Sequence, residues 1–143
     1  MLTCSKTYRD IPLGHRQPLH GGRCSYIHGH NWSMKLTFAA DKPDSNGFIV
    51  DFGKLHYIRE WIDENLDHAC AFSSTDPQRG KIEELAQLGL LKPLFLENPS
   101  CEGLAQHLFK TFDPMVRHNT DTRAWLLSVE LEEDSRNSVL YRP

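Results

Sequence analysis

The sequence predicts an α+β fold: an antiparallel four-stranded sheet with two helices on one face. Three observations carry this. Segments with period-two apolar alternation fall in adjacent groups, around Trp32–Ala40 and again from Ala124 to Arg142. Two segments with apolar residues three and four apart separate those groups. Nothing resembles the strict strand–helix–strand alternation of parallel units.

In "WSMKLTFAA", Trp32, Met34, Leu36 and Phe38 share one face, and Ser33, Lys35 and Thr37 the other, as in a strand with one buried side. "DKPDSNG" supplies turn residues, and Phe48–Val50 resumes an apolar run. Asp51 is placed to cap a helix over "FGKLHYIREWIDENL", whose Leu55, Ile58, Ile62 and Leu66 lie on one face. Between Phe72 and Glu97 the pattern is weak: a short helix around "IEELAQLGLL", otherwise loop. A second amphipathic helix runs through "CEGLAQHLFKTF", with Ser100 as N-cap and Leu104, Leu108 and Phe112 in register. Pro114 disfavours its continuation. "AWLLSVELEE" is a strand with Leu127, Val129 and Leu131 on one face, joined through the turn "DSRN" to a last strand, "SVLYR". Two helices cover only one face of such a sheet, so the other face points to self-association.

With 143 residues, the chain is read as a single domain spanning 1–143. Its 39% hydrophobic and 24% charged residues allow an ordinary core. A net charge of −3 argues against a general nucleic-acid binder, although Arg16, Arg23 and Lys35 can meet an anionic small molecule. No run is apolar enough for a membrane span, and the first residues lack the apolar core of a signal peptide. Cys4, Cys24, Cys70 and Cys101 are scattered and form no Cys-x-x-Cys, which suits free thiols in a reducing cytoplasm.

The chemistry concentrates in "GHRQPLHGGRCSYIHGH". His28 and His30 are two apart, so on a strand both imidazoles point to one side and can converge on one ion. A zinc site needs at least a third protein ligand, with His15, His20 and Cys24 as local candidates. Cys24 suits two roles by spacing: a fourth ligand closing a structural site, or a base beside an open one. Two further signals are weaker alone. Asp67 precedes His68, and an aspartate can orient an imidazole for proton transfer, although such a pair also ends helices. Among Glu130, Glu132, Glu133 and Asp134, strict alternation places Glu133 on the face of Leu127, Val129 and Leu131, while Glu130 and Glu132 read as solvated.

Cys24-x-x-x-His28-Gly-His30-Asn31 closely resembles the signature of the 6-pyruvoyltetrahydropterin synthase and 6-carboxytetrahydropterin synthase family. The other landmarks follow in family order: His15-Arg16, "GFIVDFGKL", Leu66-Asp67-His68, "NPSCEGLA", and Glu133 eight residues before Tyr141. The resemblance implies a zinc ion held by His15, His28 and His30, with Cys24 as general base rather than ligand. It implies a catalytic Asp67–His68 pair, Glu133 holding the pterin ring and joining the proton relay, and Glu102 near the pterin pocket. It further implies the tunnelling fold, with sheets joined into a β-barrel in trimers or hexamers and active sites between subunits.

The implied substrate is 7,8-dihydroneopterin triphosphate. The implied product is 6-carboxy-5,6,7,8-tetrahydropterin with acetaldehyde and triphosphate, as in queuosine biosynthesis. The alternatives are the pyruvoyl product, cleavage of a related dihydropterin, or a zinc-stabilised structural or binding protein. No nucleic-acid or membrane partner is implied. The chain departs from the family at Leu13-Gly14, where two alanines are usual, at Ser100-Cys101, at Asp134, where threonine is usual, and in a longer stretch between His68 and Asn98.

Overall fold

The computed structural model describes residues 1–143. Six strands, β1 (Leu2–His15), β2 (His28–Ala40), β3 (Ala69–Ser73), β4 (Lys92–Leu96), β5 (Ala124–Glu132) and β6 (Ser138–Tyr141), form one sheet. Their order is β4-β3-β1-β2-β5-β6. Three helices accompany them: α1 (His56–Asn65), α2 (Arg79–Gln87) and α3 (Cys101–Asn119). The α+β class holds. The expected four antiparallel strands do not, because β3 and β4 add parallel to the β1 edge where loop was expected; α2, between them, is the short helix expected around "IEELAQLGLL", beginning at Arg79.

The expected pair of helices on one face is present. Ile58 and Ile62 of α1, and Leu104, Leu108, Phe112 and Val116 of α3, pack with Tyr8, Ile11, Trp32, Met34, Leu36, Phe38, Val129 and Leu131 of the sheet. The added strands put β3 between two layers: Ala69 and Ala71 face this core, while Cys70 and Phe72 face Ile82 of α2. That is why all five residues of β3 are buried. Over β1, β2 and β5 the outer face carries Thr7, Arg9, Ser33, Lys35, Glu130 and Glu132 around a shallow polar groove. Hydrophobicity therefore does not demand a cover there.

Three local expectations change. Asp51 caps a single 3-10 turn, Phe52–Lys54, by accepting from the Gly53 amide at 2.9 Å, and α1 starts only after it. Phe48–Val50 forms no strand. Pro114 lies inside α3, and its missing N–H frees only the carbonyl of Lys110, an exposed residue that water can reach, while the next turn buries Val116. Ser100 does cap α3, accepting from the Gly103 amide at 3.0 Å. No helix is long and apolar enough to cross a membrane.

Candidate active site

The site is built by letting the core-facing rows of two strands run on past the core. In β1 the row is Ile11, Leu13, His15; in β2, read backwards, it is Trp32, His30, His28. The register pairs Ile11 with Trp32, Leu13 with His30 and His15 with His28, so the three imidazoles gather at one end of the sheet. Glu133 extends the row of Val129 and Leu131 beyond the end of β5, on the face that alternation predicts, whereas Leu127 leaves that row: a bulge at Leu127 puts Leu126 in the core instead. One ligand atom from each of His15, His28, His30 and Glu133 lies within 4.8 Å of all the others.

The tautomers are set from behind. His15 Nδ1 donates to the Pro99 carbonyl and His28 Nδ1 to the Tyr26 carbonyl, each at 2.8 Å. A carbonyl only accepts, so both rings present the bare Nε2 to the cluster. Nε2 of His15 and of His30 are buried without a hydrogen-bond partner, although Glu133 Oε1 stands 3.2 and 3.0 Å away. Burial lowers the pKa of His15 below the ordinary imidazole value. The Pro99 carbonyl opposes this, His28 adds to it, Glu133 opposes it and His30 adds to it. The net effect favours the neutral, metal-binding form. Two buried ring nitrogens without a hydrogen-bond partner, beside a third imidazole and a carboxylate, are a donor set that could hold a transition metal. These residues fit zinc.

Cys24 is exposed on the 3-10 turn Arg23–Ser25 and is not one of the four clustered donors. It lines a cavity of about 540 Å³ together with His15, Glu133, Glu102 and Cys101. His20 is also outside the cluster; its Nδ1 accepts from the Gly22 amide at 2.9 Å. Asp67 and His68 do meet, carboxylate to Nδ1, and His68 adopts φ 58° at the end of α1. Yet the His68 side chain is 84% exposed and does not line the cavity. It sits opposite Pro12, three positions from His15, or about 10 Å along a strand. One chain thus brings Cys24, Glu102, Glu133 and the histidines together but leaves the Asp67–His68 pair apart.

Two of the departures, Gly14 and Asp134, have local structural counterparts. A Cβ at Gly14 would stand 3.1 Å from Cys70 Sγ and 3.3 Å from the His28 carbonyl, so an alanine there would crowd the thiol. The Gly14→Ala substitution is therefore expected to be milder in a Cys70→Ala background. The coupling should be at least about 0.5 kcal/mol in urea denaturation; strict additivity would contradict the packing. Asp134 faces its own turn, accepting from the Arg136 and Asn137 amides at 2.8 and 2.9 Å and from the Asn137 side chain. The Asn137 and Arg136 bonds hold its carboxyl below the ordinary value. The remaining thiols are free: burial raises Cys70 to about 11 and Cys101 to about 12, the latter helped by Glu133 and Glu102.

Sequence reasoning missed the groups that act through backbone or through distant pairing. The Pro99 and Tyr26 carbonyls carry no sequence signal beyond the neighbouring motif. Asp76, in the segment read as loop, is buried against Arg16.

Residues 3–143 match the sequence model of the family described as 6-pyruvoyl tetrahydropterin synthase. The 6-carboxy-5,6,7,8-tetrahydropterin synthase of Rickettsia felis is 31% identical over 81% of this chain and 83% of its own. The protein of the same description from Rickettsia typhi is 34% identical over the same shares. An uncharacterised protein of Wolinella succinogenes superposes with a TM-score of 0.83 at 17% identity, over 99% of this chain and 97% of its own. The 6-pyruvoyl tetrahydropterin synthase of Caenorhabditis elegans superposes with a TM-score of 0.69 at 18% identity, over 99% and 95%.

Proposed function

Because the chain belongs to the 6-pyruvoyl tetrahydropterin synthase family, we propose that it is a zinc-dependent cytoplasmic lyase acting on 7,8-dihydroneopterin triphosphate. With one water consumed, the proposed products are 6-carboxy-5,6,7,8-tetrahydropterin, acetaldehyde and triphosphate. The observation that carries this reading is the cluster of His15, His28, His30 and Glu133, with two unpartnered buried nitrogens, opening onto the cavity that Cys24 lines. The names of the Rickettsia relatives support the carboxy branch over the pyruvoyl one.

In this reading His15, His28 and His30 hold the zinc. When bound, zinc supplies a Lewis acid that stabilises negative charge on substrate oxygens. Cys24, on the cavity wall, takes the carbon-bound proton as a thiolate. Glu133 lines the same cavity, where its two oxygens can accept from the N–H groups of a pterin edge and take part in the proton relay. Glu102, in the first turn of α3, flanks the ring pocket. His68, oriented by Asp67, returns the proton. That pair lies outside the cavity of its own chain, so the reading requires a second copy to bring it there, in a trimer or hexamer. A monomer by light scattering at micromolar concentration would overturn that part.

Incubating the zinc-loaded protein with 7,8-dihydroneopterin triphosphate and identifying products by mass tests the whole. Acetaldehyde with a carboxypterin is expected; a pyruvoyl product moves the chain to the other branch, and no turnover removes the substrate. Cys24→Ala is expected to keep its zinc and lose about 10²–10⁴-fold in turnover; loss of zinc would make Cys24 a ligand instead. Glu133→Gln is expected to keep zinc while KM rises, as befits a ring anchor. Zinc loss in that variant would make Glu133 a fourth ligand, a role its position among the imidazoles permits.

A further inference from the structure

We infer that Asp76 is a positioning residue for Cys24, acting through Arg16. The inference rests on Cys24 being the base of the proposed reaction. Arg16 follows His15 directly, where β1 ends. Its guanidinium is shared between two distant segments. Nε and Nη2 donate to Asp76 Oδ2 and Oδ1 at 2.7 and 2.9 Å, and Nη1 donates to the carbonyl of Ser25, the residue after Cys24, at 3.2 Å. The Gln17 amide donates to the Cys24 carbonyl at 2.7 Å. The Cys24 turn is therefore pinned to the end of β1 by two bonds, one of them through Arg16.

Asp76 fixes that guanidinium. A carboxylate accepting from Nε and Nη2 together sets the plane and direction of the fork, which leaves Nη1 aimed at one place. The carboxylate is itself immobile. Its side chain is fully buried, Oδ1 also accepts from the Gln78 amide at 2.8 Å, and the Asp76 amide donates to the Ser73 carbonyl at 3.0 Å. Burial alone would raise its pKa, but Arg16 and the Gln78 amide outweigh it and hold the carboxyl below the ordinary value, so it stays charged.

A buried ion pair contributes little net stability over an apolar replacement. Its placement is more informative. Asp76 stands between β3 and α2. The β3-α2-β4 unit thus reaches the wall of the candidate site through one carboxylate, sixty residues from the arginine it grips.

The test compares wild type with Asp76→Asn, Asp76→Glu and Arg16→Lys, all zinc-loaded. Asparagine cannot accept at both atoms, and lysine cannot fork, so both variants release the Ser25 carbonyl; glutamate keeps the charge and both acceptors. Two readouts are taken: kcat and KM for 7,8-dihydroneopterin triphosphate, and the rate at which iodoacetamide alkylates Cys24, followed by peptide mass. Expected are an approximately tenfold fall in kcat with little change in KM, an alkylation rate changed at least threefold at equal zinc content, and partial recovery in Asp76→Glu. A lower Tm with unchanged kcat and unchanged alkylation would overturn the inference and leave Asp76 merely structural. Alkylation reads the thiol without turnover. If wild type proves inactive, the functional reading falls, while an altered or unaltered alkylation rate still decides the positioning.

Discussion

Gly103→Ala is expected to destabilise the protein and loosen its metal together. In an ordinary helix this change helps, by about 0.8–1.0 kcal/mol. At Gly103 the sign reverses. An added Cβ would lie 2.0 Å from the Asn98 carbonyl oxygen and 2.7 Å from Asn98 Cβ. The nearest obstacle is main chain, so no side-chain rotation relieves it. Either the first turn of α3 or the Asn98–Ser100 segment must move, at a cost of about 1–3 kcal/mol by analogy with overpacked cores. Both carry the site. Ser100 caps α3, and Pro99 supplies the carbonyl that orients His15. Losing such an outer partner costs roughly 10–100-fold in metal affinity. Urea denaturation of the apoprotein and a chelator competition on the folded protein separate the two effects. A variant as stable as wild type with unchanged affinity would overturn this prediction.

His28→Ala should act in the opposite way, leaving the fold and removing the metal. His28 is only half-buried, begins β2, and its one side-chain hydrogen bond goes to the neighbouring Tyr26 carbonyl. The apoprotein should therefore lose little stability. Zinc affinity should fall by more than the roughly 10–100-fold that an outer partner costs, because a donor is deleted rather than reoriented. Linkage supplies a second readout. Wild type gains about 2.7 kcal/mol at a metal concentration 100 times Kd, and a chelator should lower its Tm accordingly. The variant should show no such shift. Wild-type affinity in His28→Ala would instead make Glu133, 3.2 and 3.0 Å from His15 and His30 Nε2, the third ligand.

Legibility in the sequence followed physical locality. The helical faces of α1 and α3, the Ser100 cap and the inner row of β2 were readable because each is decided by residues a few positions apart. β1 was not readable as a strand. A bulge between Tyr8 and Ile11, with Asp10 at φ 58°, interrupts the alternation, and its first residues are exposed. Nor were β3 and β4, although the short helix between them was: these strands have no period-two signal, β3 being covered on both faces. At the site, the histidines and Glu133 were legible through alternation and family resemblance. Asp67 and His68 touch, which adjacency alone does not require, and nothing local shows that the pair sits away from the cavity. Asp76 was invisible because its partner lies sixty positions earlier.

The histidines and the core share one continuous face of β1 and β2, and this ties correct strand register to the assembly of the proposed metal site. A one-residue slip of either strand would turn its own histidines outward, but it would also turn out the core residues of the same row, Ile11 and Leu13 of β1 or Trp32 and Met34 of β2. The penalty for exposing that core enforces the coordination geometry before any ion arrives. The apoprotein should therefore be a finished receptor that takes up and releases metal without folding or unfolding around it, unlike small domains in which the ion holds the chain together.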